Sequence, residues 1–113
     1  MTGNQHPFKK KWGQNFLRDL NTINKIINCL EPCSSDTVLE IGPGDGALTN
    51  VLYKQIKKLH AVEIDPLLTS QLKHKKFANT TIYEDDILKW DLNKIPQKAK
   101  IIGTLPYYIS SPI

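Results

Sequence analysis

The sequence predicts an α/β fold, a parallel sheet with flanking helices, and three observations predict it. The first is Val38-Leu39-Glu40-Ile41-Gly42-Pro43-Gly44-Asp45-Gly46, an apolar run with one acidic residue that breaks into alternating glycines. An amphipathic segment follows at once, with Leu48, Val51, Leu52 and Ile56 at helical spacing, which gives strand, glycine loop and helix in order. The second is that apolar runs of strand length alternate with helical patterns along the chain, as a parallel sheet with right-handed crossovers requires. The third is what the runs deliver at their carboxyl ends, where open α/β sheets bind ligands. Leu59 to Val62 leads into Glu63-Ile64-Asp65, Thr80 to Tyr83 into Glu84-Asp85-Asp86, and Ala99 to Gly103 into Thr104-Leu105-Pro106-Tyr107-Tyr108.

The elements follow in order. Residues 1–12 read as a basic, flexible tail that carries Lys9-Lys10-Lys11. From Asn21 to Leu30, Ile23, Ile26, Ile27 and Leu30 share a helical face, with Asp19 as a cap and Pro32 beyond the end. Strand one covers Thr37 to Ile41, the helix after the glycine loop Ala47 to Lys57, and strand two Leu59 to Ile64. Pro66 suits the first turn of a third helix that buries Leu67, Leu68 and Leu72. Strand three spans Thr80 to Tyr83 and strand four Lys100 to Gly103. Trp12 and Trp90 read as packing residues, and His6, His60 and His74 have no evident partner in the pattern.

Composition bounds the function. A chain of 113 residues with 40% hydrophobic residues is at most one domain, with enough apolar content for a core. Fifteen Lys and Arg against 11 Asp and Glu, with a pI near 9.1, suit a polyanionic partner. No apolar stretch reaches the ~18 residues of a membrane span, and the amino terminus has no apolar signal core. A cytoplasmic monomer with no membrane partner is therefore expected. Cys29 and Cys33 form no CxxC pair and no His/Cys cluster accompanies them, so they read as reduced, buried packing residues, and no metal site is expected.

The chemistry sits at the strand ends. Glycines at the loop permit positive φ or let a ligand reach the backbone. Glu63 lies about 20 residues past the loop, where a carboxylate can accept from both vicinal hydroxyls of a ribose. Gly42-Pro43-Gly44-Asp45-Gly46-Ala47 also fits the loose dinucleotide pattern G-x-G-x-x-A, so a nicotinamide-dependent dehydrogenase stays open on these residues alone. Each residue also has a plainer reading. Glu63 can be a solvated strand-end charge, Asp86 a helix cap, Gln14 and Asn15 turn formers, and the lysine run a solvated tail instead of a phosphate contact.

Taken together, Gly13-Gln14-Asn15-Phe16-Leu17, the segment from Val38 to Thr49, Val62-Glu63-Ile64-Asp65, Asp85-Asp86-Ile87 and the segment from Leu105 to Pro112 resemble the ribosomal RNA adenine dimethyltransferase family. The bacterial small-subunit type is the nearest resemblance, and the five motifs fall in family order from about Lys11 to Ile113. The resemblance implies a Rossmann-like class I fold that uses S-adenosyl-L-methionine to dimethylate the exocyclic amino group of adenines. The implied partner is ribosomal RNA or a small ribosomal subunit precursor. It also implies that Gly42 and Gly44 admit the methionine part of the cofactor and that Glu63 holds its ribose. Asp86, more than Asp85, would bind its adenine amino group, and Asn15 and Leu17 would close over it. Glu40 would orient the loop or a water near the methionine amine. The Leu105-Pro106-Tyr107 and Gln14-Asn15-Phe16-Leu17 segments have no task in a dehydrogenase.

The sequence departs from the family pattern Asn-Leu-Pro-Tyr at Thr104. In the implied reaction the Asn carbonyl and a backbone carbonyl on the Pro106 side accept the two amino hydrogens. That turns the adenine lone pair toward the methyl group while Tyr107 stacks on the flipped base. Thr104, counted here as both a catalytic and a cofactor-binding position, reaches less far and is stiffened by its β-branch. Loss of an oriented contact of this kind costs ~10²–10³ in rate, so impaired methyl transfer is expected. The resemblance further implies that residues 13–113 are a partial cofactor-binding domain. The remaining strands and an RNA-binding helical domain would follow it in the family, and strand four would have one open edge.

Overall fold

The computed structural model describes residues 19–103. The basic tail at 1–12, Asn15, Leu17, Thr104, Pro106 and Tyr107 lie outside the described residues. Four strands form the sheet: β1 (Thr37–Ile41), β2 (Lys58–Glu63), β3 (Thr80–Glu84) and β4 (Lys100–Gly103). All their pairings are parallel, in the order β3-β2-β1-β4, with Ile41 opposite Val62 on one side and Gly103 on the other. β1 is central and buries Val38 to Ile41, as expected for a strand covered on both faces.

Among the described residues three α-helices accompany the strands. α1 (Leu20–Leu30) is capped by Asp19, whose Oδ1 accepts from the Asn21 amide at 3.1 Å, and it packs on the sheet through Ile23 and Ile27. Each such side chain stabilises the fold by roughly 1.5–3 kcal/mol when removed from water. α2 (Ala47–Leu52) buries Leu48, Thr49 and Leu52 on the same face. α3 (Pro66–His74) starts at its proline, with Asp65 as the cap accepting from Leu67 and Leu68 amides, and buries Thr69 and Leu72. The opposite face of the sheet buries Leu39, Ile41 and Val62 under Trp90, with Tyr83, Ile87 and Ile95 packed alongside. Lys94 lies over the Tyr83 and Trp90 rings.

Several expectations need correction. α2 stops at Leu52 and continues only as a 3₁₀ turn over Tyr53–Gln55. Lys57 N–H donates to Asp36 O at 2.9 Å instead of back along the helix, and Asn79 Nδ2 takes the Tyr53 and Ile56 carbonyls at 2.9 Å each. Leu67 is 66% exposed and Leu68 half-buried, because α3 packs through Thr69 and Leu72. Cys29 and Cys33 are free and exposed. Cys29 lies on α1 beside Ile26 and Leu30, where it lines an open cleft with Ile101 and Ile102 of β4 and stays in contact with water. Cys33 lies in the turn before β1, where its amide donates to Asp36 Oδ2 at 2.7 Å. β2 ends at Glu63, which leaves Ile64 exposed.

β4 is an edge of the described sheet, as expected, and one ion pair pins it. Lys100 Nζ lies 3.0 Å from Asp36 Oδ2 and also donates to the Leu30 and Glu31 carbonyls at the end of α1. The Cys33 amide, and then Lys100, hold the Asp36 carboxyl below its ordinary range.

Asn79 offers a test of how α2 is joined to β3. It sits at φ 54° and its side chain closes the turn after α2. Asn79→Ala should cost about 2–4 kcal/mol, combining unpaired carbonyls with a strained left-handed backbone. Asn79→Gly should cost about 1 kcal/mol less, and denaturant unfolding of the two variants measures the difference.

Candidate functional site

The loop between β1 and α2 turns through Gly42, Gly44 and Gly46 at φ 69°, 62° and 88°. Gly42 N–H donates to Val62 O at 2.9 Å, which carries the ladder one residue past β1. Gly44 and Gly46 are glycines for different reasons. A Cβ at Gly46 would meet Leu72 Cδ2 at 2.8 Å and Phe77 at 3.5 Å, so this glycine lets α2 seat against α3. A Cβ at Gly44 would meet nothing within 4 Å. There the loop backbone faces open space, as a cradle for a ligand requires.

Glu63, at the end of β2, holds that loop in shape. Its Oε1 accepts from Gly44 N at 3.0 Å and its Oε2 from Asp65 N at 3.0 Å. The side chain is 5% exposed, so the plain reading as a solvated strand-end charge is wrong. Each oxygen retains one further acceptor position, enough for a pair of hydroxyls. The backbone carbonyl of Glu63 accepts from Asp85 N at 3.1 Å, which brings the end of β3 to the same place.

At that end Asp85 Oδ1 accepts from Asp86 N at 2.7 Å, and Asp86 Oδ1 accepts from Leu88 N at 3.0 Å. Asp86 therefore caps the turn that follows, the plainer of its two readings, and does so through one oxygen. Gly42, Gly44, Glu63 and Asp86 are thus linked through the ends of three adjacent strands. Asn15, Leu17, Thr104, Pro106 and Tyr107, the other expected site residues, lie outside the described residues.

Glu40 is the group whose state the sequence pattern leaves undetermined. It is 0% exposed, on the β1 face that α2 covers. Its Oε1 accepts from Thr49 Oγ1 at 2.6 Å, and its Oε2 has no hydrogen-bond partner among the described residues. Burial pushes its carboxyl up to about 7, against the Thr49 hydrogen bond and with help from the nearby Glu63 charge. His60 also has a partner the pattern did not reveal. Its Nδ1 lies 2.9 Å from the Tyr83 hydroxyl, and burial, then Lys58, lowers its pKa. The signal was the register, which sets residue 60 beside residue 81, two before Tyr83 on the same face.

Among the described residues no group of His, Cys, Asp and Glu could hold a metal ion, and no helix is long and apolar enough to cross a membrane. The model of one family, ribosomal RNA adenine dimethylase, matches residues 5–113. The chain belongs to that family.

The curated relatives agree with this assignment. The ribosomal RNA small subunit methyltransferase A of Neisseria meningitidis serogroup C is 46% identical over 110 residues, 96% of this chain and 42% of its own length. The protein of the same name from Mycoplasma mobile is 49% identical over 109 residues, with the same coverage. The chain thus spans 42% of the length of these curated relatives. Among solved structures, a dimethyladenosine transferase from Plasmodium falciparum superposes with a TM-score of 0.70 at 35% identity. That match covers 81% of this chain and 34% of the other. The 23S rRNA methyltransferase ErmE superposes with a TM-score of 0.69 at 33% identity, covering 78% of this chain and 36% of its own. The fold is therefore that of the Rossmann-like methyltransferases, as the sequence predicts.

Two predictions follow from the site's geometry. Gly46→Ala should lose more than 2 kcal/mol of stability, from overpacking added to a strained φ. Gly44→Ala should lose only about 1–2 kcal/mol but abolish ligand binding; unfolding and binding measured on both variants check this contrast. Glu40 should make stability pH-dependent. Its folded pKa is raised, so its contribution is fully present below about 4.5 and lost as pH rises through about 7. The swing is on the order of 3 kcal/mol, and Glu40→Gln should gain on the wild type between pH 5 and pH 8 in thermal melts.

Proposed function

We propose that the protein is an S-adenosyl-L-methionine-dependent methyltransferase that dimethylates the exocyclic amino group of adenines in small-subunit ribosomal RNA. In this reading it works in the cytoplasm, on the RNA or a precursor of the subunit, and Thr104 slows its chemistry. The observation that carries the cofactor assignment is the Gly44 turn, open where a side chain would stand and braced from behind by Glu63. The reaction and substrate come from the family.

When bound, the cofactor supplies a methyl group activated on a sulfonium. Residues 13–113 provide its binding portion in this reading. Gly42 and Gly44 admit its methionine part to the backbone, and Glu63 uses its remaining acceptor positions for the ribose hydroxyls. Asp86 accepts from its adenine amino group through the oxygen not engaged with Leu88. Asn15 and Leu17 close the site. On the RNA side Tyr107 stacks on the flipped base, and Thr104 with the backbone carbonyl beside Pro106 orients the target amino group. Positioning is most of the catalysis, because the amino lone pair is delocalised into the ring and needs to be aimed. The excess of basic residues suits an RNA partner.

Thr104 favours one further reading, a module that binds cofactor or RNA without methylating. Calorimetric titration with S-adenosylmethionine, with NAD as control, should give Kd near ~10 μM, about −7 kcal/mol, for the first ligand alone. Binding of NAD in its place would overturn the assignment. Thr104→Asn should raise methyl transfer to small-subunit RNA by ~10²–10³, the worth of one oriented polar contact. Cofactor binding with no transfer in either form would select the non-catalytic reading.

A further inference from the structure

We infer that Glu40 is the buried counter-charge of the glycine-loop site, holding a proton until a ligand carrying an ammonium or sulfonium docks and then releasing it to solvent. This inference rests on the cofactor reading above and goes beyond it, since it assigns a charge state to a residue beneath the loop. Glu40 lies two residues before Gly42 and is sealed from water, with one carboxylate oxygen bonded to Thr49 and the other to nothing among the described residues. An ionised carboxylate in that place costs several kcal/mol, and an unpaired oxygen adds to the cost. A hydrophobic residue would serve packing better. An acid is useful there if a positive charge arrives to match it.

The cations of the described elements around it are engaged elsewhere: Lys100, on the same face of β4 opposite Val38, pairs with Asp36, and Lys75 Nζ donates to the Asp45 carbonyl in the loop. From β2 the residues on this face are Leu59, Ala61, opposite Glu40, and the like-charged Glu63. β4 presents Ile102 opposite Glu40, α2 presents the Thr49 hydroxyl, and α1 presents Ile23 and Ile27 to the same core. In the loop Asp45 turns its Oδ1 to the Ala47 amide. The burial that raises Glu40 to about 7 sets it where one nearby cation changes its state. The balance is simple. The O–H bond of the acid breaks, its electron pair stays on the carboxylate, the proton goes to bulk water, and the ligand's charge replaces it. Glu40 is enclosed beneath the loop, so it acts on the ligand through the field and the loop, as a positioning residue.

The test is calorimetry of the intact protein with S-adenosylmethionine at pH 6 and pH 8, each in two buffers of different ionisation enthalpy. Relative to Glu40→Gln, the wild type should release about 0.9 more proton per ligand at pH 6 and about 0.1 more at pH 8. Its affinity should also tighten about tenfold more across that range than the variant's. Thr49→Val removes the hydrogen bond that opposes the shift, so the pH of half-release should move upward, a change that a purely structural role would not produce. Equal proton release in wild type and Glu40→Gln would overturn the inference. So would wild-type binding with no release at pH 6, and in that case the cofactor reading would stand. Absence of binding at pH 8 would remove both.

Discussion

The two hydrogen bonds that Glu63 accepts, from Gly44 and from Asp65, hold the site together. Asp65 in turn caps α3, while the Glu63 carbonyl accepts from Asp85 N and from Thr69 Oγ1. One residue therefore joins the glycine loop, the end of β2, the start of α3 and the end of β3. Hydrogen bonds to a charged group are worth roughly 1.5–3 kcal/mol each, and so little of Glu63 is exposed that water screens them weakly. The loop's glycines reach their left-handed turns without steric cost but are free to take many other shapes, and this brace selects one of them. A carboxylate that shapes the loop while keeping acceptor positions free can fix the cradle and contact what enters it.

Glu40 and Glu63 share one face of the sheet and differ in what surrounds them. Glu63 meets backbone N–H groups through both oxygens, whereas Glu40 meets one hydroxyl and otherwise apolar walls. The same side chain is thus a structural acceptor at one strand end and an under-satisfied acid on the strand beside it. Electrostatics ties the two together, since the Glu63 charge is among the causes that raise Glu40.

What was legible in the sequence was local. The four strands follow from their apolar runs, and Asp19, Pro66 and the glycine turns act through their own neighbours in the chain. Glu63 is legible from its spacing to the loop, though its task of bracing Gly44 is not, because that bond joins residues 19 apart. The same limit accounts for the misses. α2 ends early because Asp36 and Asn79, far away in sequence, take the groups that would continue it. A leucine pair beside a helix start suggests burial of Leu67, yet α3 docks through Thr69 and Leu72. Cysteine is a commonly buried residue type, but Cys29 borders the open cleft beside the β4 edge and Cys33 sits in a surface turn, placements that depend on tertiary packing.

Register is what makes separate strand ends into one place. Ile41 pairs with both Val62 and Gly103, and Glu63 pairs with Glu84. Gly42 and Glu63 therefore leave the sheet at one level, Asp86 follows two residues beyond Glu84, and β4 delivers the chain at Gly103 beside the glycine loop. A slip of one residue in β2 would turn Glu63 to the opposite face, where Trp90 and Tyr83 pack, and would expose Val62 to the α2 side. Two features oppose that slip. The Lys57 and Lys58 amides donate to the Asp36 carbonyl at the amino ends of the strands, and Glu63 binds Gly44 at their carboxyl ends. The sheet is tied at both ends, and the tie at the carboxyl end is itself part of the proposed site.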